Sequence, residues 1–154
     1  MIKITIKVLI DTNVRKVWDI ISEIDNDPHF WKEIKKIKNI SNENNVLTRK
    51  IIFYNNKICH QEITLIPICG IHIEWVKGII IGTKNILLVP MGEKTLLEIT
   101  MIYDFKGNTR LSPLYMAGRL NRETELAVQL IKNEAEKQII DHLKHRTNYK
   151  NSIR

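Results

Sequence analysis

The last third of the sequence holds the feature that most restricts the fold. After Pro113 no proline occurs as far as His145, and Gly118 is the only glycine in that stretch. Apolar residues recur there at helical spacing, at Leu120, Ala127, Leu130, Ile131, Ile139 and Leu143. This pattern predicts an amphipathic helix, and about 30 residues at about 1.5 Å each give roughly 45 Å. A helix of that length with one apolar face must pack on a large apolar surface.

Local signals refine this helix. Ser112 followed by Pro113 predicts its start, because serine is a favoured N-cap and proline is tolerated in the first turn. Gly118 or Asn121 is a place where the helix can break into two pieces, with Asn121 capping the second piece.

The first hundred residues predict the surface on which the helix packs. MIKITIKVLI alternates, with apolar residues at every even position from 2 to 10, which is typical of a half-buried strand. Two short helices follow, one from the apolar spacing over 14–24 and one starting at Pro28. Turn residues then divide the chain into six strands over 34–40, 46–54, 58–66, 71–81, 85–89 and 95–105. Such short connections predict an antiparallel meander.

The order of elements and two local patterns resemble the helix-grip (SRPBCC) superfamily. V-x-x-V-W-D-I-I stands at 14–21 and P-x-x-W at 28–31. The superfamily holds START lipid-transfer domains, birch-pollen-allergen-like proteins, polyketide cyclases and dehydrases, and coenzyme-Q-binding proteins. The resemblance covers residues 1 to 146. It implies an α+β fold, in which a curved antiparallel sheet of about seven strands wraps around the long C-terminal helix and encloses an apolar pocket. It carries no superfamily-wide catalytic motif.

Composition indicates the number of domains, the cellular compartment and the character of the surface. With 154 residues, 44% of them hydrophobic, the chain is long enough for one domain with its own core. We expect that domain over 1–146 and a disordered basic tail over 147–154. Two cysteines and an alternating N-terminus favour a cytoplasmic protein without a signal peptide. The net charge of +7 is spread along the chain, so we expect a solvated basic surface, at most transient contact with an anionic membrane surface, and no nucleic-acid binding. The sequence carries no signal for an oligomeric state.

Three groups of residues suggest metal or acid–base chemistry, and each has a simpler interpretation. Asp25, Asp27 and His29 can be metal ligands. Because they lie between two short helices, the simpler interpretation is that Asp25 or Asn26 caps the second helix and that Asp27 favours its N-terminus, with Trp31 anchoring the corner. Cys59-His60 and Cys69-x-x-His72 look like zinc ligands. A hairpin turning at 67–70 would separate the two groups by about 25 Å, which also excludes a disulfide.

The third group consists of carboxylates on predicted strands. If Leu65 lies opposite Ile71 in the hairpin, Glu62 lies opposite Glu74, and His60 lies opposite Val76. Together with Glu98, the two glutamates then belong to the solvated outer face of a one-sided sheet. We therefore expect no metal, no cofactor and no dedicated catalytic residue.

The strand and helix periodicities also select the side chains that face the pocket. Either Arg49 or Lys50 must point inward, because a one-residue change at the Asn55-Asn56 turn reverses the two faces of the strand. The predicted ligand-contacting residues are Phe30, Arg49, Lys50, Gln61, Ile73, Trp75, Lys77, Ile99, Met101, Tyr103, Leu120, Thr124, Ala127 and Ile131. Apolar walls with a few polar anchors are typical of a small-molecule site. Of the two aromatic residues at the corner, Phe30 is expected to reach the ligand and Trp31 to pack at the rim.

Three functional hypotheses follow. The leading one is a carrier of a small hydrophobic molecule, such as a lipid, isoprenoid, quinone or polyketide-like compound. The second is a cyclase or dehydratase in which Tyr103, Gln61 and either Arg49 or Lys50 polarise a carbonyl. The third is a basic module that docks on RNA, ribosome or membrane. Polar groups with shifted pKa values deep in the cavity would favour the enzyme. An entirely apolar cavity would favour the carrier. A core filled by side chains, together with one basic face, would favour the docking module.

Overall fold

One antiparallel sheet carries the apolar alternation seen in the sequence. The structure, a computed structural model, describes residues 1–106 and 113–153, with side chains for 1–106 and 114–137. The strands are β1 (Ile2–Ile10), β2 (Ile34–Glu43), β3 (Val46–Phe53), β4 (Ile58–Ile66), β5 (Gly70–Gly78), β6 (Ile80–Met91) and β7 (Lys94–Phe105). Their order across the sheet is β1-β7-β6-β5-β4-β3-β2, so every strand pair except β1–β7 is a hairpin of consecutive strands.

Three helices complete the fold. They are α1 (Val14–Ile21), α2 (Asp27–Phe30) and α3 (Pro113–Ile153), and a single 3₁₀ turn at Ile24–Asn26 joins the first two. α3 packs on the concave, apolar face of the curved sheet. The predicted α+β helix-grip architecture is therefore confirmed. Within the part of the chain that the structure describes, no helix has an apolar stretch of the kind that crosses a bilayer.

The core lies between α3 and the inner face of the sheet. The last strand was predicted to face the helix with Leu97, Ile99, Met101 and Tyr103. Each of these side chains is at most 1% exposed. From α3, Ala127, Val128 and Ile131 are also buried. Residues that recur at every second position of the strand thus pack against residues that recur every 3.6 positions of the helix, and together they form a single apolar interface.

The corner before β2 is a packing feature. Trp31 and Phe30 are buried, and Asp25 accepts a hydrogen bond from the Asn39 side chain at 3.0 Å. Asn26, one of the two predicted caps, takes the N-cap position of α2, but its side chain makes no capping hydrogen bond there. Proline at the second position of this short helix fixes the backbone without needing that bond.

The boundary between β5 and β6 differs from the predicted one. The sequence predicts a turn at Gly82-Thr83, between the strands over 71–81 and 85–89, but Gly82 lies inside β6 with φ of 151°. A Cβ at this position would collide with the carbonyl oxygen of Ile102 on β7. The turn instead falls at Gly78, whose φ is 118°. Glycine marks both turns and close strand approaches, which explains the misplaced boundary.

A β-bulge alters the predicted register of the β4–β5 hairpin. Glu62 lies opposite Glu74 as expected, but His60 pairs with Lys77 instead of Val76. Val76 is the extra residue, because Gln61 pairs with Trp75. A bulge of this kind shifts the alternation beyond it by one residue.

α3 is continuous. Its helical backbone passes through Gly118 and Asn121, so the expected break is absent. The side chain of Asn121 donates to Glu125 within the helix at 3.3 Å. The predicted cap Ser112 lies outside the described residues. The domain limit at 146 and the tail at 147–154 stay predictions, because the side chains there lie outside the described ones.

Candidate functional site

A charged cluster lies inside the fold, with Arg49 at its centre. Only 1% of Arg49 is exposed. Its Nε donates to Gln61 at 2.9 Å, its Nη1 donates to the carbonyl of Ile24 at 2.9 Å, and its Nη2 pairs with the Asp27 carboxylate. Every nitrogen of the guanidinium thus has an acceptor, as a buried charge requires. Arg49 is therefore the inward residue, and its binding capacity is largely used within the protein.

Lys84 brings a second positive charge to the same interior. It sits in the middle of β6, opposite Ile73 on β5 and Met101 on β7, and only 6% of it is exposed. Its Nζ lies 3.0 Å from the centre of the Trp31 ring, a cation–π contact. Among the described residues, no acceptor hydrogen-bonds this nitrogen and no carboxylate forms an ion pair with it. Lys84 is thus a buried amine with unused hydrogen-bonding capacity.

Burial shifts the protonation of Lys84 and of the neighbouring Glu33. Desolvation lowers the pKa of Lys84 from 10.5 to about 8, against the attraction of Asp27 and Glu33. Desolvation also raises the pKa of Glu33 to about 6. The Glu33 Oε2 atom is buried and has no hydrogen-bond partner among the described residues. Both groups are therefore less strongly charged than in water. Among the described residues, neither the Glu33 Oε2 atom nor the Lys84 Nζ atom has a side chain that hydrogen-bonds it.

A small cavity separates these side chains. Its volume is about 30 Å³, enough for one or two water molecules or one small polar group. Its lining consists of Asp27, Trp31, Glu33, Ile34, Arg49, Ile51, Phe53, Gln61, Trp75, Ile80, Lys84, Met101 and Leu120. The apolar internal pocket that the resemblance implies is not confirmed, because the space between sheet and helix is small and charged.

A larger groove adjoins this inner cavity. Its volume is about 300 Å³, and it runs between α3, the β3–β4 turn and the adjoining ends of β6 and β7. Its lining consists of Lys32, Glu33, Phe53, Tyr54, Asn55, Ile79, Ile80, Phe105, Tyr115, Met116, Arg119, Leu120 and Glu123. Glu33, Phe53, Ile80 and Leu120 line both spaces. The groove is mainly aromatic and aliphatic, and Glu33 stands where it meets the cavity.

The structure brings five of the fourteen predicted contact residues to the inner cavity, namely Arg49, Gln61, Trp75, Met101 and Leu120. Six others are buried in the core and line neither space, namely Ile73, Ile99, Tyr103, Thr124, Ala127 and Ile131. The Tyr103 hydroxyl has no hydrogen-bond partner among the described residues. Thr124 donates to the Leu120 carbonyl at 2.8 Å within α3.

The remaining three predicted contacts need correction. Lys77 is exposed, because the bulge at Val76 turns the following residue outward. Lys50 is half-buried on the outer face, since its neighbour Arg49 occupies the inward position. Phe30 lines a separate pocket of about 400 Å³ beside His29 and Glu134. Trp31 lines the inner cavity instead, the reverse of the expected roles of these two aromatic residues.

Lys84 and Glu33 are the important residues that the sequence reasoning missed. Lys84 lies between the predicted turn at Gly82-Thr83 and the predicted strand that begins at Asn85, so the pattern assigns its side chain to neither face. A signal was present: Ile80, Lys84, Ile86 and Leu88 are two or four residues apart and all are buried, as expected for one face of a single strand. Glu33 precedes β2 in a segment without clear periodicity, and no sequence signal identifies it.

The alternative metal sites can be compared with the structure. No group of three or more metal-ligating side chains occurs among the residues it describes. Asp27 pairs with Arg49, and His29 is exposed. Cys59 is buried and Cys69 is exposed, and both are free thiols. In the described part of the chain, the side chains are therefore not arranged as the zinc site, the disulfide or the metal site at the corner would require.

The outer face of the sheet carries the other predicted polar groups. Glu62 and Glu74 lie opposite each other, and Glu98 is 3.7 Å from Lys7. Towards the β2 edge, Lys38 lies opposite Lys50, which lies opposite His60 on β4. The carboxylates belong to the solvated face as expected. Contact with an anionic membrane and the lack of nucleic-acid binding stay predictions.

Comparison with solved structures supports this fold. The Zhui aromatase/cyclase from Streptomyces sp. R1128 superposes with a TM-score of 0.73 at 11% identity, over 90% of this chain and 95% of that one. A START superfamily protein from Mycobacterium smegmatis gives 0.71 at 14% identity, over 88% and 98%. Ara h 8.0201 gives 0.65 at 10% identity, over 88% and 98%.

These similarities establish the class of fold. The chain has the helix-grip fold that START, aromatase/cyclase and birch-pollen-allergen-like proteins share. At such low identities the likeness concerns the fold alone, and function must be argued from the site. No protein-family model matches the sequence, and no curated protein matches it.

Proposed function

We propose that the protein binds a small molecule with an apolar body and a neutral polar end. The body occupies the groove, and the polar end enters the inner cavity beside Lys84. The observation that carries the proposal is the Lys84 side chain, which is 6% exposed, lines the inner cavity and has no hydrogen-bond acceptor for its Nζ atom among the described residues. An ammonium group in such a place has lost most of its water, so an acceptor on a ligand would stabilise the site.

The groove has the size and lining for the apolar body. At about 300 Å³ it stands at the lower end of the range for small-molecule sites, roughly 300 to 1,000 Å³. Phe53, Ile80, Phe105 and Met116 supply apolar walls. Burying apolar ligand surface there contributes about 25 cal/mol for each Å² removed from water.

The charges of the inner cavity favour a neutral polar end over an anionic one. Asp27 and Arg49 form an ion pair, and Glu33 and Lys84 carry opposite charges on the same lining. A ligand carboxylate would be the third negative charge on this lining, after Asp27 and Glu33, against the two positive charges of Arg49 and Lys84. Burying an excess charge of this kind is unfavourable. A carbonyl or hydroxyl oxygen can accept from Lys84 without that cost.

Intrinsic fluorescence provides a direct test, because Trp31 and Trp75 line the cavity. We would titrate the protein with alkyl methyl ketones and with the alkanoates of matching length. We expect saturable changes in emission with the ketones and binding at least about tenfold weaker with the alkanoates. The third tryptophan, Trp18, lines neither space, so the response should persist in Trp18→Phe and fall in Trp31→Phe. If no ketone changes the emission and native mass spectra show no bound molecule, the proposal is wrong.

Acid–base catalysis is a second candidate function. The pKa values of Glu33 and Lys84, about 6 and about 8, lie on either side of neutrality, where general acids and bases work best. Such a pair suits a dehydratase or cyclase acting on a carbonyl compound. The test is the absorbance of the enone formed from a β-hydroxyketone. Wild type should accelerate its formation and Glu33→Gln should not, whereas equal rates with and without protein would exclude this activity.

A further inference from the structure

We propose that the Lys84 amine condenses reversibly with an aldehyde or ketone at the inner end of the ligand, and that Glu33 transfers the proton. The proposal rests on the proposed binding function and names the chemical class of the ligand. It also gives the site a covalent step that the fold by itself does not imply.

The position of Lys84 makes its nitrogen available. The Trp31 ring lies under Nζ at 3.0 Å, and no described acceptor holds its protons. Desolvation favours the neutral amine, which is the nucleophilic form. With a pKa of about 8, about a quarter of the Lys84 amines are neutral at about pH 7.5, against about a thousandth for an ordinary lysine.

Glu33 is placed to move the proton. It lines both the inner cavity and the groove, and its Oε2 atom has no described hydrogen-bond partner. Burial raises its pKa to about 6, which makes its acid form accessible near neutral pH. Asp27, the other carboxylate of the cavity, is held by Arg49 and is not free for this role.

Lys84 and Glu33 together supply the nucleophile and the proton that imine formation requires. The neutral Lys84 nitrogen forms a bond to the carbonyl carbon, and its proton moves to the carbonyl oxygen to give a carbinolamine. The C–O bond then breaks while Glu33 donates a proton to the oxygen, so that water leaves and a protonated imine forms. The iminium proton can return to the Glu33 carboxylate. Nothing is oxidised or reduced, and the released water has an exit through the adjoining groove.

The size of the cavity restricts the partner. About 30 Å³ holds a carbonyl group with a hydrogen or a methyl on its outer side, but not a ring or a branched chain. The reactive compound is therefore an aldehyde or a methyl ketone whose remaining chain extends into the groove.

Reductive trapping tests the proposal. The full chain is incubated with 4-phenylbutan-2-one and sodium cyanoborohydride, which converts an imine to a stable amine, and the labelled lysine is identified by peptide mass mapping. We expect Lys84 to be labelled at least about tenfold more than the exposed Lys77, because Lys84 lines the cavity that holds the carbonyl group and Lys77 does not. Lys84→Arg should lose this label, and Glu33→Gln should acquire it at least about tenfold more slowly. Lys77→Met should be labelled at Lys84 like wild type.

The binding measurement without reductant separates the two proposals. If the ketone changes tryptophan emission saturably but Lys84 is not labelled, binding stands and the covalent step is wrong. If neither signal appears, both proposals fail. Label spread evenly over exposed lysines would also overturn the covalent step. Labelling of Glu33→Gln at the wild-type rate would remove Glu33 from the reaction.

Discussion

Replacing Lys84 by methionine should stabilise the folded protein at neutral pH. The two side chains have similar length, and methionine adapts to irregular core space. Lys84 is 6% exposed, and its pKa falls from 10.5 to about 8 mainly through desolvation. Because a tenfold change in a protonation equilibrium is worth about 1.4 kcal/mol, this shift corresponds to about 3 kcal/mol of destabilisation below pH 8.

The size of the gain follows from what the substitution removes. It relieves the desolvation of the ammonium, but it also removes the attraction between Lys84 and the carboxylates of Asp27 and Glu33. Replacing buried charges by apolar groups of similar volume is neutral to stabilising by about 1 to 4 kcal/mol. We therefore expect Lys84→Met to raise the free energy of unfolding by about 1 to 3 kcal/mol at about pH 7.

The pH dependence has a definite sign. Between about pH 8 and 10.5 the folded state has lost the Lys84 proton while the unfolded state still holds it. Wild type therefore gains stability with rising pH over that range. The variant lacks this gain, so its advantage should shrink as the pH rises towards about 10.

Urea unfolding followed by circular dichroism at about pH 7 and about pH 10 measures both effects. Lys77→Met is the matched control, because Lys77 is an exposed lysine on the neighbouring strand, and it should change stability by less than about 0.5 kcal/mol. A loss of more than about 1 kcal/mol in Lys84→Met at neutral pH, or a difference that does not change with pH, would refute the assignment of Lys84 as a buried and poorly compensated charge.

Three further predictions concern the cluster, the thiols and the sheet. Arg49→Met should lower the free energy of unfolding by about 3 to 5 kcal/mol, because the Asp27 carboxylate loses its partner. The control Lys50→Met should change it by less than about 0.5 kcal/mol. Equal effects of the two substitutions in urea titrations would contradict the assigned faces. Cys69 should react with a thiol reagent at neutral pH and Cys59 should not, because burial raises the pKa of the Cys59 thiol to about 12; equally rapid labelling of both in mass spectra would contradict the burial. Gly82→Ala should lower the midpoint of thermal unfolding by several degrees, because the new Cβ meets a carbonyl of the adjacent strand; an unchanged midpoint would argue against this close approach.

The strand alternation and the long proline-free stretch predicted most of the fold. The sequence placed all seven strands, two short helices and one long helix in the right order, because apolar periodicity is a local property. The inward face of β7 was predicted correctly for the same reason, since Leu97 to Tyr103 alternate without interruption. Five of the predicted contacts, Arg49 among them, line the inner cavity.

The site depended on features that alternation does not contain. The bulge at Val76 turned Lys77 outward, and the strand that continues through Gly82 turned Lys84 inward. An insertion of one residue, or a boundary moved by a few residues, reverses which face a side chain takes. Glycine occurs both at turns and at close strand approaches, so Gly82 alone does not fix the boundary of β6.

The sequence by itself determined the elements, their order and the apolar surface that joins sheet to helix, because these follow from local period and composition. Only the tertiary structure decided that Asp27 and Glu33 share one interior with Arg49 of β3 and Lys84 of β6. It also decided their protonation, since the pKa of a buried group depends on the solvent that its neighbours exclude. The chemistry proposed for Lys84 therefore rests on packing and desolvation that strand alternation leaves unspecified.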